Sequence, residues 1–348
     1  MGFKKLDNED FVVSSNSVTS TVFSNNQPSL NEFFTSSAQE ESSTGDYYLN
    51  VFQTSSGLDG ASVQFAIAYG NRNGGGSLDF DSAVPGVSPT KTIFGQYRTL
   101  VLEDENAQFV FGTSFSGSDF YAISSDRARY KEKLFPGSLN LVLSASNSTP
   151  GFTELHLTDN SKDVSLPAFF GTQRAFQIVS GSNGNAYSGT GFSPESGSYG
   201  LFLPDIATLI LNASALNDSG SGYGIGLGTD VSANTDSNNN QKLFNHISGS
   251  SGDADNNIFK LNSQETLTSD FVFVRARNSE FNYTENPSFI SGSTGEVVYN
   301  YFIDNPQVYA TTVGLYNDSN DLLAVAKLSK PLVKDFTKEA LVRVKLDF

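Results

Sequence analysis

The C-terminal end constrains this chain most. Val342, Val344, Leu346 and Phe348 fall on one face of an extended backbone, and Arg343, Lys345 and Asp347 on the other. Strict period two, held to the final residue, is the pattern of a strand with one buried and one wet face. Such a strand needs a neighbour for its backbone groups and an apolar layer beneath its inner face. The terminus therefore reads as a structural element and not as a frayed tail, either a simple edge strand or a strand used in assembly.

Similar runs recur upstream. Residues 47–53, 62–69, 98–103 and 108–112 are short aromatic and β-branched stretches bounded by Gly, Asn or Ser. Leu139, Leu141 and Leu143 alternate with other residues, as do Leu155 and Leu157, and 270–277 is apolar on both faces before it turns to alternating Arg275 and Arg277. With 29 Phe and 14 Tyr but only 17% charged residues, the composition is that of a folded chain. The fold expected is mainly β: antiparallel, sandwich-like domains with a few short helices.

Those helices are expected at 125–134, where mixed charges precede a Pro136-Gly137 stop, and at 239–247. A capping box, Ser29 with Glu32, precedes Phe33 and Phe34. The stretch 205–216 fits either a helix after Pro204 or a buried strand. Loops gather at 71–90, 181–199 and 217–257; the last, rich in Gly, Ser, Asn and Asp, reads as a polar arm that orders only against a partner. At 348 residues the chain has room for two or three domains. The division expected is a β-rich region over 1–216, itself divisible into two subdomains, the arm at 217–257, and a C-terminal β domain at 258–348.

The net charge of −16 disfavours nucleic acid as a partner, since phosphate neutralisation needs the opposite sign. The surplus is uneven: 136–270 holds 4 basic and 12 acidic residues, whereas 327–348 holds 6 basic and 3 acidic. That polarity fits a solvated acidic surface, or a subunit whose basic end meets an acidic neighbour. Asp7, Glu9 and Asp10 follow Lys4 and Lys5 at once, so no signal-peptide hydrophobic region is expected. The longest apolar run, 206–211, is far too short for membrane insertion.

Motifs that carry chemistry are few. There is no Cys, and His156 and His246 have no partner at ligand spacing, so no metal and no cofactor is expected. Gly222, Gly224, Gly226 and Gly228 alternate, but no Lys and no helix start follow as a phosphate loop requires; close backbone packing or a flexible arm is the better reading. Asp236, Asn238 and Asn240 open like a calcium loop, which then fails at Gln241 and Ile247. Asp253 with Asp255 retain a weak capacity for a divalent ion. The carboxylate pairs Asp79/Asp81 and Glu103/Asp104 are the only support for a glycosidase-like enzyme, and 37 acidic residues make such pairs common by chance. Asn282-Tyr283-Thr284 matches the glycosylation pattern without a leader to give it meaning. No catalytic residue is assigned.

Several longer phrases are more specific. They are Phe271-Val-Phe-Val-Arg-Ala-Arg-Asn278, Glu280-Phe-Asn-Tyr-Thr-Glu-Asn-Pro-Ser-Phe-Ile290, Val313-Gly-Leu-Tyr-Asn317, Leu322-Leu-Ala-Val-Ala-Lys-Leu-Ser-Lys-Pro331 and Glu339-Ala-Leu-Val-Arg-Val-Lys-Leu-Asp-Phe348. With Arg127-Ala-Arg-Tyr-Lys-Glu-Lys-Leu134, Pro136-Gly-Ser-Leu139 and Tyr199-Gly-Leu-Phe-Leu-Pro-Asp205, the chain resembles virion structural proteins of T-even-like marine and cyanobacterial myophages. The resemblance implies a non-enzymatic component of the contractile tail or baseplate, present in several copies among other virion proteins and assembled in the host cytoplasm. The alternative is a module of the tail that binds a host-surface glycan, for which the Tyr and Phe content and long polar loops speak.

Overall fold

The computed structural model describes every residue except 1–3, 36–39, 43–44, 78–87, 147–150, 188–190, 193–195, 220–222, 236 and 348. Strand accounts for 43% of the chain and helix for 15%. The chain forms two units: Val18–Glu265, and Met1–Ser17 together with Thr266–Phe348.

The larger unit is built on one long antiparallel sheet. Its strands follow the spatial order Ser29–Leu30, Phe259–Lys260, Asn140–Ser144, Glu154–Asp159, Gln173–Ser182, Gly200–Leu203, Thr208–Asn212, Asp119–Ser125, Val63–Asn71, Gly45–Phe52 and Phe34–Thr35. The alternation in each strand decides its two faces. Tyr121 and Ile123 point inward while Phe120 and Ala122 point outward; Leu209 and Leu211 are inward and Ile210 outward; Phe202 is inward between Leu201 and Leu203. Both faces are apolar along these central strands, so both must be covered.

The inner face covers itself by curling. Phe259 and Phe65 lie on strands far apart along the sheet, yet their rings meet edge to face at 5.2 Å, and Phe23 sits 5.5 Å from Phe259. The sheet is thus a curled half-barrel around one core. On the outer face lie the helix Pro89–Leu102 and the hairpin of Phe109–Phe111 with Phe115–Gly117. Phe94, Phe109 and Phe120 stack there with centroid distances of 4.8–5.9 Å.

That helix corrects two expectations, the strand at 98–103 and a loop reaching Thr90. Ser88 caps the helix by accepting from the Lys91 N–H, Pro89 occupies the first turn, and Glu103 ends it in the left-handed region at φ 56°. Buried Thr90, Ile93, Phe94 and Val101 recur at helical spacing, whereas Tyr97, Thr99 and Val101 taken alone mimic a strand.

Three further expectations are corrected. Residues 125–134 form only a short 3-10 turn, Arg127–Arg129, and the two-residue strand Lys133–Leu134, because Asp126 caps the turn and Leu134 is drawn into the sheet core. Ser29 and Glu32 start no helix; Ser29–Leu30 and Phe34–Thr35 pair as short edge strands, with Leu30 buried opposite Phe259. The described part of 217–257, expected as a polar arm that orders only against a partner, instead packs into the larger unit. Ile225, Leu227, Leu243, Phe244 and Ile247 all enter the main core, the last three from the helix Asn239–Ser248. Its apolar residues are sparse but placed on one side, which suffices for burial. The ambiguous stretch 205–216 resolves into the strand Thr208–Asn212 followed by the helix Ala213–Asn217, capped by Asn212.

In the smaller unit the strand Ala340–Asp347 forms where the alternation places it, antiparallel to Asn262–Ala276 over Ser269 to Ala276. Ala340, Val342, Val344 and Leu346 share the less exposed face; Phe348 lies outside the described residues. A separate two-stranded ribbon joins Val308–Tyr316 to Leu322–Lys334. Among the described residues no helix is long and apolar enough to cross a membrane.

Candidate assembly surface

The smaller unit has well-formed backbone but almost no interior. Its ladder is tied by polar contacts: Ser269 donates to Asp347 at 2.6 Å, Arg275 meets Glu339 at 2.6 Å, and the Arg343 guanidinium lies 5.6 Å from the Phe271 ring centre. Lys345, hydrogen-bonded to Asp347, and then Ser269 hold that carboxyl below the ordinary aspartate range. Lys334 is buried, its ammonium donating to Asn282 Oδ1 at 2.7 Å and to the Asn278 carbonyl at 3.3 Å. Asn282 donates in turn to that carbonyl, so the side chain in the glycosylation pattern is committed to internal bonds.

Against this, the only buried hydrophobic residues among those described in the unit are Val272, Ala340 and Val344. Large apolar side chains stand outside instead. Phe11, Val12 and Val13 are exposed on the strand Phe11–Thr21; Tyr309, Leu322, Leu323 and Val325 on the ribbon; Tyr301 and Ile303 on the helix Asn300–Asp304. Leu323 is 67% exposed and Tyr301 72%. Burying one large side chain of this kind is worth roughly 1.5–3 kcal/mol, so the unit leaves a large stabilisation unrealised. A two-stranded ribbon with apolar residues on both faces is marginal by itself. These exposed apolar side chains make the smaller unit the candidate surface for a partner.

The ribbon was legible only in part. Its phrases 313–317 and 322–331 stand out as words, but the pairing depends on a turn at Asn317–Asp321, where the Asp321 N–H donates to Asn317 Oδ1 at 2.7 Å. Irregular register on the Leu322–Lys334 side hides the alternation.

Among the described residues, the candidate chemical residues do not converge on a site. Gly224 sits where a Cβ would lie 2.5 Å from the carbonyl oxygens of Ala215 and Asp218, so this glycine serves close backbone approach, whereas Gly228 is open and takes a left-handed φ of 67°; Gly222 lies outside the described residues. Asp253 is partly buried, which raises its carboxyl, but bonds from Asn257 and the Asp255 N–H outweigh this and hold it below the ordinary range. It also accepts from Asn140 at 2.8 Å, leaving it as a turn anchor. Asp79, Asp81 and Asp236 lie outside the described residues. Glu103 closes the outer helix and accepts from Thr172, and Asp104 accepts from the Asn106 N–H. His246 bonds the Ser144 carbonyl at 2.6 Å; His156 packs near Tyr187.

One buried polar chain was not legible in the sequence. Asp119, buried on the sheet, accepts from Tyr69 Oη at 3.0 Å, and Asn71 donates to the same hydroxyl at 3.2 Å. Burial raises the Asp119 carboxyl above its ordinary range despite the Tyr69 bond, and burial likewise raises the Tyr69 phenol. The residues are 50 apart and meet only through strand register. Asn71 also accepts from the N–H groups of Asn73 and Gly75, so the chain anchors the turn after Val63–Asn71.

Comparison of the chain with protein-family models, with curated proteins and with solved structures finds no match in any of the three.

Proposed function

We propose that this chain is a non-enzymatic structural subunit of a tailed-phage virion, in the contractile tail or baseplate. Its smaller unit completes its apolar layer against neighbouring virion subunits. The observation that carries the reading is the contrast between the units: a fully enclosed core in Val18–Glu265, and three buried apolar residues among the described part of the other. An enclosed core in one unit and exposed apolar strands in the other suit a repeated building block, because subunit interfaces resemble a core divided between chains. The resemblance of the longer sequence phrases to those of myophage virion proteins supports the particular assembly.

Mass spectrometry of purified virions from a phage encoding the chain tests this. The protein is expected in intact particles at a fixed ratio to other tail proteins. Its absence from washed, infectious particles would overturn the proposal.

A further inference from the structure

The smaller unit buries few apolar side chains, yet it encloses a lysine and an asparagine. Lys334, the last residue of the ribbon strand Leu322–Lys334, is 3% exposed, and Asn282 is 5% exposed. Burial around Asn282 is inverted, because Phe281 and Tyr283 on either side of it are exposed while the amide between them is enclosed. Phe281 takes a left-handed backbone, φ 52°, which a bulky residue rarely adopts and which persists only where the surroundings impose it.

The two side chains are in contact. Lys334 Nζ lies 2.7 Å from Asn282 Oδ1 and 3.3 Å from the Asn278 carbonyl oxygen, and Asn282 Nδ2 lies 2.7 Å from that same oxygen. One acceptor thus gathers both nitrogens beside the Asn282 carboxamide. No ion pair among the described residues includes Lys334, so the bonds to its ammonium come from neutral groups. An enclosed charge without a counter-ion is costly, and an amide joining the two side chains removes it.

We propose that Lys334 and Asn282 react to form an intramolecular isopeptide bond. Nζ, as the free amine, attacks Asn282 Cγ; the Nζ–Cγ bond forms, the Cγ–Nδ2 bond breaks, and Nδ2 leaves as ammonia. Of the three ammonium hydrogens of Lys334, one stays on the new amide nitrogen and two depart with the ammonia as ammonium ion, so no other reactant is consumed. Contact distance makes the acyl transfer unimolecular, and enclosure keeps competing water away. The bond closes a loop between residues 52 apart and confines the unfolded chain as a disulfide would, in a chain that has no Cys.

Intact-mass spectrometry of the purified full chain, read after denaturation, tests this. The mass is expected to fall one ammonia below that of the sequence, and protease digestion is expected to release a branched peptide containing both Asn282 and Lys334. Lys334→Arg and Asn282→Ala are each expected to restore the full mass. That reading is independent of how stably either variant folds. An unmodified chain at full sequence mass after prolonged incubation in native buffer would overturn the bond. So would an ammonia loss that persists in Lys334→Arg or that maps to a succinimide in a linear peptide.

Discussion

Phe259→Ala probes the closure of the curled sheet. Phe259 is fully buried, 5.2 Å from the Phe65 ring and 5.5 Å from that of Phe23, and lies opposite Leu30 on one side and Leu141 on the other. Phe to Ala at a closed core site costs about 3–5 kcal/mol in lost transfer energy and cavity. Each of the two ring contacts contributes about 0.5–1.5 kcal/mol beyond area, so the upper half of that range applies. Phe169→Ala, at a site 61% exposed on the short strand Ala168–Phe170, is expected to change stability by no more than about 0.5 kcal/mol. Denaturant titration followed by near-ultraviolet circular dichroism suits the purpose, because the chain has 14 Tyr and no Trp. The two units need not unfold together, so the difference is taken from the later transition. A cost below about 1 kcal/mol for Phe259→Ala would mean that the sheet is open and that Phe65 and Phe259 do not meet.

Three other outcomes follow from particular contacts. Asp119 is raised in the folded state, so the fold binds its proton more tightly than the unfolded chain; its contribution favours folding at low pH and is lost as pH rises through the folded value. Asp119→Asn is therefore expected to flatten the pH dependence of the melting temperature between the ordinary aspartate range and neutrality, and an unaltered slope would refute the assignment. Gly224→Ala, which sets a methyl 2.5 Å from two carbonyl oxygens, is expected to cost more than about 1 kcal/mol in the same denaturant assay, and a neutral result would refute the close approach. Val344→Asp is expected to abolish the protection of amides in Ser269–Ala276 from hydrogen exchange while sparing the larger unit, since Val344 is paired with Val272 and both are buried.

What the sequence conveyed followed how local the determinant is. The terminal strand was readable because Val342, Val344 and Leu346 alternate with charged residues, and a period of two needs no partner to be recognised. The helix Asn239–Ser248 was likewise readable, but its burial was not, because only Leu243, Phe244 and Ile247 are apolar and their value depends on the sheet beneath them. The helix Pro89–Leu102 was misread because Tyr97, Thr99 and Val101 suit either period, and the deciding cap at Ser88 follows Pro85-Gly86, which reads as a loop. The exposed apolar residues of the smaller unit had no local signature. Tyr309 or Leu323 looks like a core residue in sequence, and only the fold shows that nothing among the described residues covers it. Unpaired apolar positions become visible when every other strand has been given its neighbour.

Hydrogen exchange of Val308–Tyr316 and Leu322–Lys334, compared between the isolated chain and the assembled particle, bears most directly on the proposal that the smaller unit is completed by neighbours. In the isolated chain both strands are expected to exchange far faster than the Asp119–Ser125 and Thr208–Asn212 strands, which are enclosed on both faces. In the particle the ribbon amides are expected to become as protected as those central strands. Equal protection of the ribbon in the free and assembled states would contradict the account.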